Sequence, residues 1–149
     1  MTTPPDDGLA DGWAARRRDA AAEQAARLER RRAAESEQAR TILTGFVAAA
    51  RQQDLPVVDL QARALNGSSL YRTGLRGWYL RRNGSLAVDE QGDFYVMSAP
   101  TSLTSRFRGV TLTPSDPPLV VGVGGRDGES MPLTELTALR LSTDETWDR

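Results

Sequence analysis

The chain has 149 residues, 39% of them apolar, and a net charge of −1 from 19 basic and 20 acidic side chains; that is apolar matter for one core, since domains run to roughly 100–150 residues. There is no cysteine, no histidine and no lysine, so every basic residue is arginine. Disulfides, thiolate metal sites, histidine general bases, serine–lysine dyads, Schiff bases and the lysine of a phosphate loop are all excluded, which weighs against catalysis.

Met1–Gly12 holds Pro4, Pro5, three acids and two glycines and has too little apolar matter to fold, so residues 1–12 are expected to be a disordered tail. Trp13–Gln53 has no proline and one glycine, Gly45, among many Ala, Arg, Glu and Gln. Such composition predicts one helix of roughly forty residues, about 60 Å long. In its last part Ile42, Leu43, Phe46, Val47 and Ala50 make one apolar stripe facing a core. Residues 13–40 read instead as an exposed Arg/Ala/Glu-rich arm. Ala14, Ala21, Leu28 and Ile42 share a heptad position, but Glu35 interrupts it and Arg18 and Arg32 occupy the partner position. A homo-oligomer through residues 13–40 is therefore poorly specified, and a solvated single helix with pairs such as Glu23–Arg27 is favoured.

Asp54-Leu55-Pro56 ends the helix, because proline disfavours helical geometry in the residue before it. Val58, Leu60, Ala62 and Ala64 then alternate with polar residues as in a half-buried strand, and the glycine-rich stretch Asn66–Gly77 reads as a loop. From Trp78 to Met97 two hairpins are expected. A loop at Arg82-Asn83-Gly84 pairs Leu80 with Leu86 and Trp78 with Val88, and one at Glu90-Gln91-Gly92 pairs Val88 with Phe94 and Leu86 with Val96. This register keeps Trp78, Leu80, Leu86, Val88, Phe94 and Val96 on one face, whereas a two-residue Asn83-Gly84 turn would mix the faces. Val110–Leu112 and Leu119–Val123 suggest further strands; Pro132–Leu141 is a short closing helix with Leu133, Leu136 and Leu139 inward, and Ser142–Arg149 is expected to fray. The fold class is α+β: a long N-terminal helix packed through its C-terminal third on a small antiparallel meander of five to six strands, with a short C-terminal helix. The domain spans residues 41–141.

Charge is uneven: residues 60–110 carry seven arginines against three acids, and residues 111–149 three arginines against seven acids. The second face of the meander presents Tyr79, Arg81 and Tyr95, with Arg82 beside them. Aromatic rings on a sheet can stack bases while arginines hold phosphates, and the alternative is that a helix covers this face, with the tyrosine hydroxyls bonded at its edge. The glycine loop Gly122–Ser130 lies between a predicted strand and a predicted helix, where main-chain N–H groups can hold an anion. Its spacing matches neither a dinucleotide fingerprint nor a phosphate loop, so it reads as a tight connection with Ser130 capping the helix and Arg126 as a candidate contact for carboxylate or phosphate. Asp89, Glu90 and Asp93, or Asp127 and Glu129, could in principle bind Mg²⁺ or Ca²⁺ or do acid–base work, though acids at hairpin tips are equally explained by solvation.

The triplet Trp78-Tyr79-Leu80 resembles that of the ligand-sensing domain named for it in bacterial transcription regulators. Leu86-Ala87-Val88-Asp89 stands where that family has a basic, aromatic strand, and no residue role is carried over.

The functional expectation is a non-catalytic binding, adaptor or regulatory protein that contacts RNA, a ribonucleoprotein or an acidic protein through Tyr79, Arg81, Arg82, Tyr95 and Arg126. The alternatives are a structural protein that oligomerises through the helical arm, or a carboxylate- or metal-dependent enzyme. No cofactor is expected. Exclusive use of arginine fits a GC-rich bacterial genome. The absence of any run of about 18 apolar residues, with a start that lacks a basic-then-apolar order, leads us to expect a cytoplasmic protein with no membrane partner.

Overall fold

A computed structural model of the chain describes residues 7–122, 130–143 and 145–147. Helix α1 spans Asp7–Gln52. It begins six residues before Trp13, so residues 7–12 are helix where a disordered tail was expected, because adding a turn to an existing helix costs far less than nucleating one. Met1–Asp6 lie outside the described residues. Two compact units divide the chain between Glu35 and Ser36. In the first, no described side chain is buried; Glu23 pairs with Arg27 at 3.7 Å and Arg16 lies over the Trp13 ring.

The second unit is built on a five-stranded, mostly antiparallel sheet in the order β4-β3-β2-β1-β5, where β1 is Val58–Ala64, β2 Leu70–Tyr79, β3 Leu86–Asp89, β4 Phe94–Val96 and β5 Ser98–Ala99. Within this unit Ala39, Leu43, Phe46, Val47 and Ala50 of α1 bury their side chains with Trp78, Leu80, Val88 and Phe94. Phe46 meets Trp78 edge to face at 6.1 Å, and the Trp78 indole N–H donates to the Leu55 carbonyl at 3.0 Å. Asp54 ends the helix in the left-handed region at φ 54°, which lets the Leu55 N–H reach back to the Ala50 carbonyl.

Both meander registers are as the apolar face requires. Trp78 pairs with Val88, Leu86 with Val96 and Val88 with Phe94, the Leu80 N–H donates to the Leu86 carbonyl, and Gly84 and Gly92 take φ of 70° and 89°. Val96 alone of that face is exposed.

Elsewhere the structure departs from expectation. The stretch expected as a loop, Asn66–Gly77, is mostly strand β2, since pairing with β1 satisfies its main chain despite three glycines. Gly77 is needed there for a different reason than turning: a Cβ would lie 2.1 Å from the Val88 carbonyl oxygen. Val110–Leu112 forms no strand; Val110 instead donates to the Arg72 carbonyl on the free edge of β2. A short helix α2, Leu103–Arg108, precedes it, and Ser102 caps that helix. Strands β6 (Val120–Val121) and β7 (Met131–Pro132) make a separate two-stranded ladder. Helix α3, Leu133–Leu141, follows Pro132, which has no side-chain cap bond, so Ser130 is not the cap.

Candidate functional site

Helix α3 turns a different residue inward than its leucine spacing suggests. Leu133 and Leu136 are buried, but Leu139 is half exposed and Arg140 takes the inward position at 2% exposure. The Arg140 guanidinium donates from Nε to the Tyr79 carbonyl at 2.9 Å and from Nη1 to the Thr143 carbonyl at 3.2 Å. The Trp147 ring stacks over it at 4.2 Å. Burial pushes its pKa down from the ordinary arginine value, and the Glu145 carboxylate opposes that shift; a guanidinium nevertheless stays charged. Among the described residues Arg140 makes no ion pair. Among the described residues two of the five N–H donors of a guanidinium are engaged, which leaves three.

This buried charge lines an open groove of about 330 Å³. Arg81, Arg82 and Asn83, at the tip of the β2–β3 hairpin, form one wall; Leu136 and Leu139 of α3, with Trp147, form another. Leu80, just past the end of β2, and Met131 of β7 also line it. Three arginines thus meet an apolar surface. One described carboxylate answers them: Glu145 pairs with Arg82 and also accepts from the Trp147 indole at 3.4 Å. Those two bonds hold its carboxyl below the usual carboxylate range. The segment expected to fray therefore has its described residues Glu145 and Trp147 against arginines of the groove.

The groove joins Arg81 and Arg82 but none of the other residues that the sequence singled out. Tyr79 and Tyr95 are buried at 1% and 4% exposure, which corrects the expectation that their rings could stack bases. They pack with Leu60, Ala87 and Met97, joined by partly buried Val58, Leu75, Leu112 and Trp147; strands and irregular chain, not a helix, supply these neighbours. The Tyr79 hydroxyl accepts the Gln61 N–H at 2.7 Å, where β1 bulges. The Tyr95 hydroxyl donates to Asp89 at 3.3 Å, and burial with the Asp89 charge raises its pKa to about 12. Arg126 lies outside the described residues, as does most of the glycine loop.

Asp89, a candidate for metal or acid–base work, is buried and organises its own hairpin instead: one oxygen accepts the N–H groups of Gln91 and Asp93 and the other meets Tyr95. No cluster of three acidic residues poised for a metal ion occurs among the described residues. Arg140, Glu145 and Trp147 were missed by sequence reasoning, since an arginine in a helix ordinarily reads as solvated. The one available signal was that Arg140 lies four residues after Leu136 and seven after Leu133.

Compared with protein-family models, curated proteins and solved structures, the chain matches none.

Proposed function

We propose that the protein is a non-catalytic adaptor that holds an acidic segment of a partner protein in the arginine groove. The observation that carries this reading is Arg140, a buried cation that lines the groove and, among the described residues, has three N–H donors unused and no ion pair. A buried cation is costly unless its donors are met, so an incoming carboxylate gains more there than at a solvated arginine. The leucine and methionine walls favour a ligand whose acid is flanked by apolar side chains. The chain's own Glu145 and Trp147 support the same preference, since an acid and an aromatic ring two residues apart already engage Arg82 and Arg140.

The reading is tested by fluorescence anisotropy with labelled peptides that carry glutamate beside tryptophan or leucine. Binding should fall about tenfold or more for Arg81→Ala and Arg82→Ala, and for a peptide in which glutamine replaces glutamate. Removing residues 144–149 should strengthen binding by vacating the groove. Equal binding of acidic and amide peptides would sink the proposal. Short single-stranded RNA and DNA belong in the same assay: if they bind, and the two arginine variants abolish it, the groove serves a polyanion instead. Burial of Tyr79 and Tyr95 removes the stacking on which that alternative first rested.

A further inference from the structure

The other end of β2 carries a surface of different character. In the hairpin of β1 and β2, Gln61 pairs with Arg72 and Arg63 with Leu70, so these four side chains share one face, and Ala62 with Tyr71 lies on the opposite, buried one. Leu65 follows Arg63 by two residues, and the Leu65 N–H donates to the Ala99 carbonyl while the Asn66 N–H reaches Thr101. The chain then enters α2, where Leu103 and Phe107 are four residues apart and share one helix face. Arg72 donates to the Phe107 carbonyl at 3.1 Å, which ties α2 to the hairpin. Leu65, Leu103 and Phe107 are 72%, 76% and 79% exposed, more than any other large apolar side chain described.

Charge in the segments that carry these three is of one sign. Residues 61–75 and 99–112 contain four arginines, Arg63, Arg72, Arg106 and Arg108, and no acid. Arg63, Arg106 and Arg108 make no ion pair among the described residues. The positions between them, Asn66-Gly67-Ser68-Ser69 and Thr101-Ser102, then Thr104-Ser105, are small and uncharged polar residues.

From this we infer that the α2 end of the sheet is a docking surface for an anionic lipid bilayer. Protruding leucine and phenylalanine side chains enter the boundary between headgroups and acyl chains, and neighbouring arginines meet lipid phosphates and carboxylates. The absence of acids lets the face be attracted to an anionic surface although the whole chain is at net charge −1. A folded partner would need pockets shaped for three separate protruding side chains; a fluid bilayer needs none. This surface is independent of the arginine groove, at the opposite end of β2.

Flotation of the full chain with phosphatidylcholine vesicles, with and without phosphatidylserine, tests it. Binding should require phosphatidylserine and weaken as salt rises. Phe107→Ser and Leu103→Ser should each lower it about tenfold or more, the effect of withdrawing one large apolar side chain from the bilayer. The double variant Arg106→Ser with Arg108→Ser should lower it as well. Arg81→Ala should leave it unchanged, which separates this surface from the groove. All these side chains are exposed or half-buried, so circular dichroism should show each variant folded. No flotation with phosphatidylserine vesicles at low salt, or flotation that none of the α2 variants alters, would overturn the inference. So would binding of an acidic protein or RNA that the same variants abolish while vesicles are ignored.

Discussion

The two ends of β2 treat alternation differently. From Leu70 to Arg72 exposed and buried residues alternate, one face wet and one dry. From Gly77 to Tyr79 every residue is buried. The difference lies in what each end meets. At the second end α1 packs on the Trp78 face, and Leu60, Met97 and Leu112 crowd the Tyr79 face. At the first, Arg72 ties α2 to the strand through the Phe107 carbonyl, the Val110 N–H just after the helix donates to the Arg72 carbonyl, and Leu103 and Phe107 are left outside. Period-two patterning reports which residues can share a face, not whether that face is covered.

The sharpest way to break this comparison is at Gly77. A Cβ there would collide with the Val88 carbonyl, so Gly77→Ala should cost about 3 kcal/mol or more and lower the melting temperature by roughly 10 °C. A melting curve like that of the parent would mean that β2 and β3 do not approach so closely.

Tyr95 offers a test by pH. Its folded pKa, about 12, is above the ordinary value of 10.0, so the folded protein keeps the phenolic proton longer than the unfolded chain does. The resulting stabilisation is complete below pH 10 and is lost as pH rises toward 12; two pKa units correspond to about 2 to 3 kcal/mol. Urea denaturation at about pH 9 and about pH 11.5 should show that loss, and Tyr95→Phe should remove this part of the pH dependence. A phenylalanine variant as alkali-sensitive as the parent would place Tyr95 in water.

Gly84 and Gly92 define the two hairpins at positive φ. Alanine at either should cost about 1 kcal/mol, read by the same denaturation assay. Unchanged midpoints for both would contradict the left-handed turns.

The smallest effects are expected away from the sheet core. Removing residues 1–35, none of which has a buried side chain among those described, should leave the melting temperature of the remaining chain nearly unchanged. Trypsin should cut the parent first at the arginines between 16 and 32. Collapse of the shortened chain would make the first unit part of the fold.

Much of this was legible in the sequence because it depends on near neighbours. Residue composition specified α1 from Trp13 onward, with its end at Asp54-Leu55-Pro56, and the need to keep Trp78, Leu80, Val88 and Phe94 on one side selected the meander register. Arg81 and Arg82 were singled out for their charge at the second face of the meander, and both line the groove. Pairing with distant partners was not legible. β2 is a strand despite its glycines because β1 is beside it, and β5 adds to β1 in parallel across more than thirty residues of chain. Tertiary packing alone decided that Tyr79 and Tyr95 are covered, and that Arg140 rather than Leu139 turns inward, where carbonyl oxygens of Tyr79 and Thr143 accept its N–H groups. The physical reason is the same in each case: a polar or aromatic side chain can be buried when its hydrogen bonds are met, and the atoms that meet them come from segments far away in the chain.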